Sequence, residues 1–435
     1  MIKPYQLLAL YLGFFALGSF AHAGVTMSAN TPSPKPPAEF GLDSWWNGPS
    51  LTYNWFGQGP EMNKYGIYLQ TDLTQFGQGL VSGRGDHGFE YGGKLGAFIH
   101  FEGEQAGTWK GFSLDSHTEY LYGDNSIANG GMLSPVNTAL LFPKAGQNIL
   151  TLSSLFLTQK IGDQFAISVG RFNTIDFTAF MPFDGGRGIT SFWNTSFVIP
   201  MIEAKTIAPV TNGAVMKFDT KHDVALTLGV FDSQNSATTT GLPNFFDNGV
   251  SLLGDVSVTT HFFKLAGKHS LTGTWSNQES TELGQLPQLI LPQFFGTAAT
   301  KDSTWSLNYH FEQYLYQPKD APANGCGLFG SVGISDGNPN PIKWDATFGF
   351  GGHSPIPGRP DDRLGVGYYY LDLSNALTSQ PIISTRLRDE QGTEMFYTAA
   401  LNKWWEVTGD IQVVDPVTTK NETDVVLGVS TRIKF

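Results

Sequence analysis

The last twelve residues, Asp424 to Phe435, constrain this chain more than any other stretch. Val425, Leu427, Val429, Ile433 and Phe435 share one face of an extended strand, with only Thr431 among them. Asp424, Gly428, Ser430, Arg432 and Lys434 take the other face, because strand side chains alternate. A strand that is apolar on one side, charged on the other and ends on an aromatic suits a transmembrane β-barrel, where one face meets lipid and the other a watery lumen. A slip of one residue would turn Arg432 and Lys434 toward lipid, at about 2–4 kcal/mol each near the midplane, so the register is well specified. The edge strand of a soluble sandwich is the alternative for this stretch taken alone.

Composition bears on that choice. Charged residues make up 15% of the chain and aromatics 13%, with 51 glycines. That is far less charge than the roughly 25% of a typical soluble protein. The net charge of −12 lacks the basic footprint of a nucleic-acid binder. A single cysteine, Cys326, excludes an internal disulfide and a cysteine zinc cluster.

Residues 1–23 read as a secretory signal. Lys3 supplies the positive start, Leu7 to Phe20 a 14-residue apolar run, and Ala21-His22-Ala23 the cleavage site. Losing Lys3 takes the basic count from 26 to 25 against 38 acids, a net −13. No later run of 18 or more apolar residues follows, so strands and not helices must do any membrane crossing.

Residues 24–64 are a Pro-rich leader and an irregular segment carrying Trp45, Trp46, Trp55 and Phe56, either a luminal plug or an aromatic collar at the periplasmic rim. Residues 65–435 carry sixteen strand candidates, from 65–75, 93–102 and 112–122 to 405–413 and 423–435. Short connections after strands 4, 6, 8 and 14 contrast with long ones after 1, 3, 5, 7, 9 and 13. The expected fold is therefore all-β: a 16-stranded antiparallel transmembrane barrel with long external loops, one or more folded into the lumen.

No catalytic motif is present, whether a Gly-x-Ser-x-Gly elbow, His-Glu-x-x-His or a P-loop, and no cofactor is implied. His100, His117 and His310 project into the inferred lumen beside Glu102, Glu119 and Glu312. Polar groups wetting a channel wall are the plainer reading there than a metal or hydrolytic site. The longest external loop, about Phe172 to Thr211, is too apolar for disorder, with Phe177, Phe180, Phe183, Phe192, Trp193 and Phe197. It is expected to fold inward and narrow the pore. Asp176, Asp184 and Arg187 can then hydrogen-bond a polar solute, while Phe192 and Trp193 either stack on a sugar ring or pack the loop against the wall.

Several segments are similar to the OprB-type carbohydrate-selective porins: Val169-Gly-Arg-Phe-Asn-Thr-Ile-Asp176, Gly327 to Asp336 with Asn338-Pro-Asn-Pro341, Pro357-Gly-Arg-Pro-Asp-Asp-Arg363, Glu394-Met-Phe-Tyr397, Val407-Thr-Gly-Asp-Ile-Gln412 and the Val425–Phe435 strand. The resemblance implies a 16-stranded barrel in the outer membrane of Gram-negative bacteria, passing monosaccharides and small oligosaccharides such as glucose by passive diffusion. It implies a pore narrowed by arginine and acidic groups on inward loops, here Arg187, Asp184, Asp176 and Arg84, the last in the glycine-rich first loop. Alternation from Phe165, Ile167 and Val169 points Arg171 outward, at the external rim or after a bulge. Members commonly carry Trp-Gly-Gly-x-Arg near the mature start, whereas Trp55-Phe-Gly-Gln-Gly59 lacks the arginine. Alternatives are a general or differently selective porin, an outer-membrane enzyme such as a barrel lipase, and a closed structural protein. Outer-membrane lipid is the expected neighbour, with monomer or trimer left open.

Overall fold

The computed structural model describes residues 45–124, 130–142, 146, 148–220, 222–285, 299–379, 386–418 and 422–435. The expected signal sequence, its cleavage point and the Pro-rich leader lie outside them. The described residues form sixteen antiparallel barrel strands, each paired with its chain neighbours, and the last closes on the first. In order they are β1 (Ile67–Ser82), β2 (Phe89–Glu102), β3 (Phe112–Gly123), β4 (Ile149–Ile161), β5 (Phe165–Asn173), β6 (Val210–Asp219), β7 (Val224–Asp232) and β8 (Val250–Thr260). There follow β9 (Gly267–Ser276), β10 (Thr304–Tyr316), β11 (Cys326–Ser335), β12 (Ile342–His353), β13 (Arg363–Leu373), β14 (Glu390–Ala400), β15 (Trp405–Asp415) and β16 (Asp424–Lys434). No described helix is long and apolar enough to cross a membrane.

Alternation decides which way each side chain faces. In β10, Trp305, Leu307 and Tyr309 face out, while Ser306, Asn308, His310 and Glu312 are buried inside. In β16, Val429 is exposed outward, whereas Ser430 and Arg432 face in. The register expected for the last strand therefore holds. Strand β1 runs on past residue 75, and β2 begins before residue 93, because Gly77, Gly79, Gly92 and Gly93 pair in the ladder instead of forming a loop.

Residues 45–64 contact the rim that carries the chain termini. Trp45 packs on Trp404 at 4.9 Å between ring centroids, and Trp46 on Trp405 at 6.0 Å. Leu51 N–H donates to the Lys434 carbonyl at 2.8 Å. This is a collar of indoles at the rim, the arrangement that suits aromatics between apolar and wet surroundings.

Two loops at the opposite rim turn into the lumen. The 174–209 loop was expected there; residues 130–142 of the 124–148 loop join it. Thr195 N–H donates to the Pro135 carbonyl at 2.9 Å, and Thr138 N–H to the Trp193 carbonyl at 2.8 Å. Phe183, Phe192 and Phe197 build an apolar core with Phe329, Tyr369 and Phe396 of the wall. Glycines on inward wall positions make its sockets. An added Cβ at Gly365 would lie 2.7 Å from Phe192, at Gly367 2.5 Å from Phe197, and at Gly428 2.4 Å from Trp193.

Gly367→Ala should therefore destabilise the folded barrel by about 1–3 kcal/mol through overpacking. Gly409→Ala, where a Cβ meets nothing within 4 Å, should be neutral. Denaturant unfolding of the two variants in lipid measures this, and equal midpoints would contradict the socket.

Candidate functional site: a constriction on one side of the lumen

The apolar core fills the lumen beside β11–β14. Against the other side, between the 174–209 loop and strands β1–β4 and β16, lies a cavity of about 280 Å³. Gln70, Asp115, Asp176, Phe180, Arg187 and Arg432 are among its lining residues.

Two local structures bring the loop residues there. Asp176 sits in a 3-10 turn, Thr174–Phe180, started by the Asn173 side chain accepting from Ile175 N–H at 3.1 Å. Arg187 stands in a run of left-handed residues, with φ of 66° at Gly185 and Gly186, 59° at Arg187 and 68° at Gly188. Glycine takes that conformation freely, but an arginine there costs roughly 1–2 kcal/mol. The surrounding packing holds the chain in a reversal that throws the guanidinium across the lumen.

The polar groups form one connected chain across wall and loop. Arg432 binds Asp72 through Nη2 at 2.6 Å and Nε at 2.7 Å. Arg187 Nη2 lies 3.7 Å from the same carboxylate, and its Cζ sits 4.5 Å over the Phe98 ring. Phe98 stacks on His117 at 3.6 Å. His117 Nδ1 lies 2.9 Å from Asp176, which also accepts from Ser154 Oγ at 2.9 Å. Beside this chain, His100 Nδ1 pairs with Asp115 at 2.7 Å. Phe98 is therefore engaged by both a guanidinium and an imidazole. Phe180, 46% exposed, is the aromatic that offers open surface to the cavity.

The expected site residues separate into four groups. Asp176 and Arg187 meet at the cavity. Asp184 turns away and lies 3.2 Å from His310 Nε2. Phe192 and Trp193 have no exposed surface: Phe192 packs on Phe396 at 4.9 Å and Trp193 on Phe76 at 5.1 Å. They wedge the loop into the wall, so a stacking role toward solute finds no support in their placement. Arg84 is at the exposed tip of the β1–β2 hairpin, its N–H held by Asp424 at 3.1 Å, apart from the cavity. Arg171 reaches the carbonyls of Ser236 and Thr239 in the 233–249 loop, at the long-loop rim.

Asp72, Phe98 and Arg432 were not singled out as site residues. Their signal was a charged or aromatic residue on the inward face of a strand. The link between Asp72 and Arg432 exists only because β1 closes on β16, with Thr74 opposite Arg432 in the register.

Wall carboxylates hold both inward loops. Glu394 accepts from the N–H groups of Trp193 at 2.5 Å and Asn194 at 2.9 Å. Glu390 accepts from Leu133 N–H, Ser134 N–H at 2.7 Å and Tyr369 Oη at 3.1 Å. Asp345 accepts from Ile202 N–H at 2.8 Å. Hydrogen bonds of this kind are worth about 0.5–1.5 kcal/mol each.

Comparison with known proteins places this architecture. The high-pH structure of Pseudomonas putida OprB superposes with a TM-score of 0.76 at 17% identity, covering 89% of this chain and 99% of that one. The low-pH structure of the same protein gives 0.52 at 13% identity, covering 89% and 99%. The outer membrane channel DcaP of Acinetobacter baumannii gives 0.50 at 10% identity, covering 85% and 97%. At these identities the likeness is one of fold. A search of curated proteins finds no match to this sequence. Residues 86–435 match the family described as "Carbohydrate-selective porin, OprB family". The chain belongs to the OprB family of carbohydrate-selective porins.

Proposed function

We propose that sugars cross this outer-membrane porin through the one-sided cavity, and that Arg187, Asp176, Asp72 and Arg432 form its constriction. The observation that carries this reading is the ladder from Arg432 through Asp72, Arg187, Phe98 and His117 to Asp176, set across the lumen from the phenyl rings packed beside β11–β14.

The chemistry suits a neutral polyol. Guanidinium and carboxylate groups that already face each other give a solute both donors and acceptors, without the strong field of one sign that would trap an ion. Phe180 supplies apolar surface for the C–H face of a sugar ring. Exposed hydroxyl pairs can then exchange water for fixed polar groups, as small-molecule sites require. Binding must stay weak, because a solute held tightly at a constriction does not leave. Transport is downhill diffusion; no bond is made or broken, and the reading needs no cofactor.

Outward residues such as Leu155, Leu307, Val366, Met395 and Val429 are exposed to the barrel's surroundings and fit contact with outer-membrane lipid. The route there begins with the 1–23 signal, which we expect to be cleaved after Ala23. Amino-terminal sequencing of the mature protein should start at Gly24; a start at Met1 would remove the signal assignment.

Liposome swelling tests the pore itself. Purified protein should admit glucose faster than a neutral amino acid of similar size, and Arg187→Ala should narrow that difference while leaving folding intact. Equal rates in the native protein would demote the sugar filter to a general pore. An unchanged ratio in the variant would take Arg187 out of the constriction.

A further inference from the structure

Three of the buried ionisable groups outside the sugar path converge between the constriction loop and the wall. His310 and Glu312 occupy successive inward positions of β10, and Asp184 descends onto them from the 174–209 loop. One ligand atom from each lies within 4.8 Å of the other two, with His310 Nε2 and Asp184 Oδ2 3.2 Å apart. All three are more than nine-tenths buried, at 4%, 5% and 6% exposure for Asp184, His310 and Glu312. Asp184 Oδ1 and Glu312 Oε1 are also buried without any hydrogen-bond partner. Two carboxylate oxygens left bare in the interior are costly, so something positive is expected beside them. Lys268 sits opposite Glu312 in the β9–β10 register, near enough for its charge to act on Glu312, without an ion pair within 4 Å among the described residues.

We propose that Asp184, His310 and Glu312 bind a divalent transition-metal ion of the zinc type, which clamps the constriction loop to β10. Ligands bound at about 2.0–2.2 Å stand roughly 3.2 Å apart around such an ion, the separation already present between His310 and Asp184. Glu312 Oε1 has no hydrogen bond to give up in closing on the ion. An imidazole with two carboxylates selects zinc-like ions over calcium and magnesium, which prefer all-oxygen sites. Three protein ligands leave a position for water, as in open zinc sites.

The clamp has a place to act. Asp184 is followed at once by the left-handed reversal of Gly185 to Gly188, which carries Arg187 to the other side of the loop. Fixing Asp184 on β10 fixes the base of the turn that presents the guanidinium to Asp72. This site is independent of the sugar reading, since its ligands lie apart from the cavity lining and its occupancy is read without any permeation assay.

The test is metal binding by untagged, folded protein in detergent, stripped with chelator and titrated with zinc chloride. Native protein should retain one zinc per chain after desalting and unfold at a higher temperature when loaded. His310→Ala and the near-isosteric Glu312→Gln should each weaken zinc by at least about tenfold, the lower range seen even for outer partners of metal sites. Heat-resistant migration on gels confirms that each variant is folded; if His310→Ala fails that check, Glu312→Gln carries the comparison. Native protein taking up no stoichiometric zinc would overturn the proposal and leave a hydrated polar cluster. Undiminished uptake in the folded variants would overturn it too, by locating the ion elsewhere.

Discussion

A loop folded into a barrel must find a partner for every backbone N–H it takes out of bulk water, and in this protein wall carboxylates supply partners for five of them. Glu394 takes the amides of Trp193 and Asn194, Glu390 those of Leu133 and Ser134, and Asp345 that of Ile202. A buried amide left alone costs about as much as a lost hydrogen bond, so the inward loops depend on these three side chains. The apolar core cannot replace them. It fills space but gives a polar group nothing to bond.

From that anchoring follows the asymmetry of the lumen. The carboxylates stand on β12 and β14, so the loops are drawn to that side, and glycines at 365, 367 and 428 let aromatic rings settle against the strands. Among the described residues, open space lies opposite, where β1–β4 present Gln70, Asp115 and His117. The constriction is thus a product of packing elsewhere. Charges that line it are paired with one another, which in the proposed reading suits neutral, hydroxyl-rich solutes.

Alternation made the barrel readable, since a strand with one apolar face repeats every second residue whatever lies around it. Sixteen strand candidates are legible, several of them by clean alternation. The tall β1–β2 hairpin was cut short because Gly77, Gly79, Gly92 and Gly93 look like turn residues until the ladder pairs them. Asp176 and Arg187 could be picked out as polar residues of a long apolar loop. The fate of Asp184, three residues from Arg187, could not, because the left-handed turn between them sends the two side chains to opposite walls. Phe192 and Trp193 were ambiguous for a different reason. Their sockets lie on β13 and β16, and Glu394, the backbone anchor of Trp193, is 201 residues away in the chain.

The claim that the sugar path runs on one side only can be tested by thiol block of single-channel conductance, in a Cys326→Ser background that removes the buried native thiol. Gln70→Cys places a thiol on the open cavity, and Ser134→Cys places one in the packed half, where the native serine has no exposed surface. A charged methanethiosulfonate should reduce current through the first and leave the second unchanged. Block of the Ser134→Cys channel, or none in the Gln70→Cys channel, would mean that solute passes where this account places a solid core.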